Sequence, residues 1–450
     1  MATETIHLLH TNDMHSHIEN WPRILRFLSQ KKQAYQQNYT FDIGDAIDRL
    51  NPLTDATMGQ ANVQLMNGVH YDGVTIGNNE GLVLSHDAMN HLYDHANFDV
   101  LLANLTEMPK ANQPTWAKPY KIVTTELGTK LAIIGMTAPY ELTYPSLDWQ
   151  PHEVEDTLNQ LLPKLQPITD GIILLSHLGL PTDEAIAKKY DIDVIIGAHT
   201  HHLLEHGKLV NGTLLAGAGR YGEHIGDITL KLNQHKIIEK TAMTVPTYEL
   251  AEESGDYELI RSWLAYGRDA LSAQKVAVLP RSITTDEQVY DGLRALKQYF
   301  SVPVSMLSTG MFVEDLPEGE LNRYDLLESM PHAINPMVIT LTGAEIYTLF
   351  DEIDKQQQRL SSLALKGSGF RGKIFGYMRF DGIDRQRDHK ILYLGQEIQQ
   401  QRHYQIATLD HYKWVPFFPV IQDVPAKISL DILLRELMAN YYEKKYNARK

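Results

Sequence analysis

The residues best equipped for chemistry in this chain sit where short apolar runs stop. "LLHTNDMHSH" sets Asp13 and His15 two apart, and residues two apart in extended chain project to the same side, so both can reach one ion. "FDIGDAIDR" supplies Asp45 after a glycine, "TIGNNE" supplies Asn78, and "ILLSHLG" supplies His177. "IIGAHTHH" adds His199 and His201, again two apart. Carboxylates, imidazoles and an amide oxygen form a nitrogen and oxygen set suited to Mn2+, Zn2+ or Fe2+. Seven donors are too many for one tetrahedral or octahedral site that keeps room for water. Two divalent ions sharing a bridging carboxylate would use them all. The chain has 20 histidines, and a single one such as His17, His202 or His224 reads as a surface or hydrogen-bonded core residue. What argues for metal is the recurrence of ligand types after successive apolar runs, with glycine beside most of them.

The elements that must position these residues follow from the same runs. From residue 6 to about 232, "IHLLH", "FDIG", "GVTIG", "VLLANL", "LAIIGMT", "GIILLSH", "DVIIGAH", "TLLAGAG" and "DITLKL" recur, several of them continuously apolar as strands buried on both faces are. Helix-compatible stretches lie between many of them, so an α/β layered domain is expected over residues 1–245. Residues 246–275 read as a linker helix, with Leu259, Trp263 and Tyr266 at helical spacing. Residues 276–450 read as a smaller α+β domain, with helices at "DEQVYDGLRALKQYF" and "TGAEIYTLFDEIDKQQQRL" and strands at "PMVITL", "ILYLG" and "YQIATL". The final "YYEKKYNARK" reads as a solvated helix end.

Bulk numbers bound the function. At 450 residues, two domains are the natural expectation. A hydrophobic share of 43% and a charged share of 22% are those of a soluble globular chain. The formal charge of −15 repels polyanions unless a bound cation reverses the field locally, which argues against extended nucleic acid and anionic membranes as partners. With no cysteine, disulfides and thiolate metal sites are excluded. No basic leader precedes a long apolar core, and no stretch approaches the roughly 18 apolar residues of a spanning helix, so a cytoplasmic location is expected.

The ordered set Asp-x-His, Gly-Asp, Gly-Asn-x-Glu, His and Gly-x-His-x-His resembles the calcineurin-like metallophosphoesterase superfamily. Within it, "EGELNRYDLLESMPHAINPMVITLTGAEI" is similar to the C-terminal substrate domain of the 5'-nucleotidase and UDP-sugar hydrolase family. The resemblance implies a four-layer α/β/β/α metallophosphoesterase domain followed by a nucleotide-reading domain. It also implies a small-molecule nucleotide or related phosphate as substrate. Carried over, Asp13, His15 and His201 hold one ion, Asn78, His177 and His199 the other, and Asp45 bridges. The implied reaction is in-line attack on phosphorus by a metal-bound hydroxide. The rival readings are a cyclic-nucleotide phosphodiesterase and a metal-containing nucleotide-binding protein with little turnover.

Two departures from the family pattern matter. Its usual Gly-Asn-His-Glu or Gly-Asn-His-Asp is "GNNE" here, so Asn79 takes the place of the family's catalytic histidine. An amide can donate a hydrogen bond to a phosphoryl oxygen but cannot carry a proton to a departing alkoxide. The expectation is a preference for phosphoanhydrides such as UDP-sugars or dinucleotides, unless Glu80 substitutes as the acid. In the second domain, "STGMFVEDLP" has Met311, Phe312 and Val313 where the family places a phosphate-gripping arginine. Arg371 and Lys373 beside Phe370 are the expected replacements, with Phe370 as a base-stacking ring. His411 and Tyr412 stand at the position of the second stacking partner, without the family's glycine loop.

Overall fold

Three neighbouring strands show how the first half of the chain is layered. In Lys130–Thr137, Gly171–His177 and Val194–Gly197, the residues Leu131, Ile133, Ile173, Leu175, Val194 and Ile196 join one buried cluster, while Ala132, Ile134, Ile172, Leu174 and Ile195 join another. Side chains alternate across a sheet, so both faces of these strands are covered and the runs read as continuously apolar. The computed structural model describes residues 3–365 and 369–447, and it divides between Gly267 and Arg268 into two units.

The first unit contains two main sheets. One has seven strands in the order Lys236–Pro246, His224–Asn233, Thr3–Thr11, Asn38–Asp42, Gly73–Val74, Val100–Leu101, Ala117–Lys118. The other has six, in the order Lys208–Val210, Thr213–Ala216, Val194–Gly197, Gly171–His177, Lys130–Thr137, Tyr120–Thr124. The strands from Thr3–Thr11 to Ala117–Lys118 pair in parallel, as do Lys130–Thr137, Gly171–His177, Val194–Gly197 and Thr213–Ala216. Ile6, Leu8 and Phe41 of the first sheet share a buried cluster with Ile133, Ile173 and Ile196 of the second, so the sheets pack face to face. The outer face of the second sheet is closed by Leu158 and Leu162 of helix Val154–Leu165 and Ile186 of helix Leu180–Lys189. Helix Trp21–Ala34 turns Ile24, Phe27 and Leu28 inward, and Tyr35 just after it stacks on His7 of the first sheet with centroids 3.5 Å apart. The result is the mixed α/β arrangement expected.

The edge strands Lys236–Pro246 and Tyr120–Thr124 were not among the expected apolar runs, because each is half polar and only partly buried. The expected linker helix forms at Asp256–Ser272, and the division between units falls inside it. Leu259 and Tyr266 are exposed on it, whereas Trp263 and Leu264 are half-buried; the inward face lies partly beside the stripe that the spacing suggested.

The second unit is built on a five-stranded sheet ordered Met378–Asp381, Ser305–Ser308, His403–Leu409, Pro336–Thr342, Ala426–Ile428. Helices Thr285–Phe300 and Gly343–Leu360 both open with capping boxes, Thr284 with Glu287 and Thr342 with Glu345, which satisfy free N–H groups at the helix start. Helix Arg323–Ser329 is capped likewise by Asn322 and Asp325. The last helix, Leu434–Asn447, is docked and not merely solvated: Met438 and Tyr442 are fully buried, and Lys445 pairs with Asp291 at 2.7 Å. Among the described residues no helix is long and apolar enough to cross a membrane.

Candidate metal centre

Every expected metal ligand lies at or just beyond the carboxyl end of a parallel strand. Asp13 and His15 follow Thr3–Thr11, Asp45 follows Asn38–Asp42, Asn78 follows Gly73–Val74, His177 ends its strand, and His199 and His201 follow Val194–Gly197. The loops that carry them are tied together. Asp13 N donates to Gly44 O at 3.0 Å, and His15 N donates to Asp45 O at 2.8 Å. Five of the ligands hold left-handed backbone: Asp13 at φ 50°, His15 at 46°, Asp45 at 52°, His199 at 72° and His201 at 57°. Such a conformation costs a non-glycine residue about 1 kcal/mol or more, and it clusters where function requires it. Gly77 is needed for closeness, since a Cβ there would lie 2.1 Å from Asp45 Oδ1.

The side chains converge. Asp13, His15 and His201 present ligand atoms within 4.8 Å of one another, and so do Asp13, Asp45 and His177. One oxygen of Asp45, Oδ2, stands 3.6 Å from His15 Nε2 and 3.5 Å from His177 Nε2, between the two groups. His201 Nε2 lies 3.5 Å from Asp13 Oδ1 and 3.2 Å from His15 Nε2. Asp13 is steadied by Asn12 Nδ2 at 2.9 Å and by the backbone N–H of His199 at 3.1 Å. His199 stands outside both groups, its Nε2 3.2 Å from the Tyr140 hydroxyl and its ring 5.2 Å from that of His177.

Two buried atoms in the pocket suit a cation. His177 Nε2 and Asn78 Oδ1 are both sealed from solvent without a hydrogen-bond partner. Burying such atoms unpaired is costly, and a cation accounts for both. His177 Nδ1 lies 2.7 Å from the carbonyl of Ile43, which fixes the ring and leaves Nε2 aimed at Asp45. Burial works against charge on His177, but Asp45 raises it to about 10; the same pairing holds Asp45 well below the usual carboxylate range. The proton on His177 thus occupies a place that suits a positive charge. Burial, then the charge of His177, lowers His199 to about 4, so it is the neutral imidazole that a metal needs. The donor set fits divalent ions.

The other expected residues fall differently. Glu80 does not stand free as an acid: Oε2 accepts from the N–H groups of Asp45 and Gly77 at 3.0 and 2.8 Å, and Oε1 from those of Ala46 and Ile47 at 2.8 and 3.2 Å. It is a clamp that shapes the loop carrying Asp45. Asn79 N donates to Asp45 Oδ1 at 2.7 Å, and its Nδ2 donates to Ile47 O at 2.8 Å and lies 2.9 Å from His15 Nδ1. In the second unit, Phe370 is 1% exposed and stacks with His332 and His411 at 4.8 and 5.5 Å, so it shows no face to a base. His411 and Tyr412 are fully buried, with the Tyr412 hydroxyl 2.6 Å from Ser308 N. Arg371 donates to Phe370 O at 3.2 Å, and Lys373 is exposed, 3.4 Å from Glu314. Two residues at the centre went unnoticed in the sequence: Tyr140, beside His199, and Arg220, whose Nη1 is 3.5 Å from His201 Nδ1.

Comparison with known proteins agrees with this geometry. Residues 6–203 match the family model of calcineurin-like phosphoesterases, and residues 282–413 match that of the 5'-nucleotidase C-terminal domain. An uncharacterised metallophosphoesterase of Bacillus subtilis, YunD, is 35% identical across 97% of this chain and 98% of its own length. A snake venom 5'-nucleotidase from Crotalus adamanteus is 28% identical over 47% of this chain and 39% of its own. Among solved structures, the NAD nucleotidase NadN of Haemophilus influenzae aligns over 99% of this chain and 97% of its own, with a TM-score of 0.68 at 17% identity. A 5'-nucleotidase precursor from Thermus thermophilus aligns over 98% and 97%, with a TM-score of 0.63 at 17% identity. At such identity these two structures speak for the fold alone.

Proposed function

The chain belongs to the calcineurin-like phosphoesterase family and carries a 5'-nucleotidase C-terminal domain, and on that premise we propose that it hydrolyses nucleotide-type phosphate compounds at a two-ion centre, anhydrides in preference to monoesters. The ions would be held by Asp13, His15 and His201 on one side and Asn78, His177 and His199 on the other, with Asp45 between. Bound there, two divalent cations neutralise the phosphate and acidify a water for in-line attack. The chain's own residues keep the ligands in place: Asn12 steadies Asp13, the Ile43 carbonyl orients His177, and Glu80 clamps the Asp45 loop. Asn79 Nδ2 donates to Ile47 O, and that bond keeps the donor end of its amide toward His15 Nδ1.

The observation that carries the substrate preference is the engagement of Asn79 and Glu80. Asn79 has no acidic proton, and Glu80 is 1% exposed with both oxygens accepting backbone N–H bonds. Burial, then the charge of Asp45, raises Glu80 to about 7, but both its oxygens are turned to backbone N–H groups of its own and the Asp45 loop, so neither residue is placed to protonate a basic alkoxide, whereas a departing phosphate needs little protonation. UDP-sugars and dinucleotides are therefore the proposed substrates, ahead of nucleoside monophosphates.

Rates over a leaving-group series test this. Anhydrides should turn over faster than alkyl phosphate monoesters, and Asn79→His should raise the monoester rate more than the anhydride rate. Equal or faster monoester hydrolysis by the unaltered protein overturns the preference. Ligand-induced stabilisation of the metal-loaded protein without product overturns the hydrolase reading itself.

A further inference from the structure

We infer that Arg220, at the rim of the centre in the first unit, is the residue that grips substrate phosphate; the inference rests on the two-ion reading above. Arg220 is exposed and reaches His201 from outside, with Nη1 3.5 Å from Nδ1, while His201 Nε2 faces Asp13 and His15. The other arginines of the first unit each lie within 4.0 Å of a carboxylate: Arg23 with Glu252, Arg26 with Asp256, Arg49 with Asp55 and Arg261 with Glu258. Among the described residues Arg220 forms no such pair. In a chain of formal charge −15, an uncompensated guanidinium beside the centre is the group an incoming phosphate meets.

The loop that carries it is anchored for that purpose. Asn12 Nδ2 donates to Gly219 O at 2.7 Å, Ala218 N to Asn12 Oδ1 at 3.0 Å, Tyr221 N to Asp13 O at 2.7 Å, and Asn20 Nδ2 to Tyr221 O at 3.1 Å. Tyr221 holds φ 61°, a strained backbone for an aromatic residue, and its ring lies 4.5 Å beneath the Arg220 guanidinium. His15 meets that ring edge-on at 5.8 Å, and His17 stacks on it at 3.9 Å and is itself bonded to Glu19 at 2.6 Å. Glu19 is thus already engaged.

His201 adds a coupling. A neutral imidazole has one lone pair, so an ion taken by Nε2 puts the ring proton on Nδ1, which then has nothing to offer a guanidinium. Filling the first ion position releases Arg220 from His201 while Tyr221 keeps it at the rim. Its planar fork suits two phosphate oxygens. The second unit offers no arginine at the position where the resemblance led us to look for one: Met311 and Phe312 are buried in its core.

The test compares the full-length protein with Arg220→Gln and Arg220→Lys, each loaded with Mn2+. Metal content, calorimetric affinity for orthophosphate at low and high salt, and KM and kcat for the preferred anhydride are measured. The expected result is unchanged metal content and a loss of orthophosphate affinity of about tenfold or more in the Gln variant. The Lys variant should lose less, KM should rise more than kcat falls, and the salt sensitivity of binding should weaken. Orthophosphate affinity within twofold of the unaltered protein in Arg220→Gln, at full metal content, overturns the assignment. Binding of orthophosphate without turnover in the unaltered protein overturns the functional reading while the affinities still decide the role of Arg220. Failure to load metal overturns both.

Discussion

The metal centre of the first unit and the aromatic cluster of the second are both buried, and both were singled out as sites, yet they are built on opposite principles. Around Asp45, polar atoms are sealed in without partners and non-glycine residues are held in left-handed backbone. Around Phe370, rings cover rings: His332 and His411 stack with it, and Phe375 lies within 6.3 Å of His411 and 5.9 Å of Tyr412; His332 Nε2 is also buried without a hydrogen-bond partner, so what separates the two places is the backbone and the charge of their side chains. Left-handed backbone gathered on several ligand-type residues at once is what a functional site holds in place. Covered apolar surface is the signature of a core.

Three perturbations of the centre sharpen that contrast. The largest effect is expected from Asp45→Asn, which keeps the shape but removes the charge shared by the two groups; activity and binding of at least one ion should be lost, by more than the 10- to 100-fold typical of outer partners. Metal analysis together with turnover checks it. Next comes Glu80→Gln, where an NH2 group must face backbone N–H donors that the carboxylate now satisfies. Metal affinity should fall by about 10- to 100-fold, with substrate preference unchanged. The third is pH. His177 in the metal-free protein is held up to about 10, so at neutral pH an ion must displace its proton, and metal affinity should rise by about tenfold per pH unit through the neutral range. The sign for stability is opposite. With its folded pKa above the ordinary histidine value of 6.5, His177 stabilises the metal-free protein fully below that value, and the contribution fades as pH rises toward 10. Titrating Mn2+ at several pH values, alongside melting curves of the metal-free form, reads both.

The ligands were legible because each demands a particular side chain and each stands where an apolar run ends, so type and place reinforce one another. The helices of the second unit were legible through their capping residues, as Thr342 and Glu345 show. Asn12, Ser16 and Tyr140 were not, since nothing in their spacing couples them to distant ligands. Ser16, for instance, gathers Asp48 N, Thr54 and Asn62 around its hydroxyl from a loop and helices well beyond it in sequence. A signal for Arg220 did exist: "AGAGRYG" follows the run Thr213–Ala216 as the ligand loops follow theirs. For the rings of Phe370, Trp414, Phe417 and Phe418, composition cannot separate a stacking platform from a core, because both need the same groups. Only burial decides it: the three phenylalanines are buried, whereas Trp414 is 43% exposed.

Phe370→Leu puts that decision at risk with the smallest change. If Phe370 is core, the shorter side chain should cost about 1 kcal/mol of stability in denaturant unfolding and leave KM for nucleotide substrates unaltered. If instead the ring stacks on a base during turnover, the loss of stacking, about 1–3 kcal/mol, should appear as a rise in KM of roughly 5- to 100-fold with little change in stability. Its 1% exposure and its contacts with His332 and His411 argue for the first outcome. An altered KM would mean that the cluster opens when substrate arrives, and that the contrast between a strained centre and a ring-covered core holds only for the form without substrate.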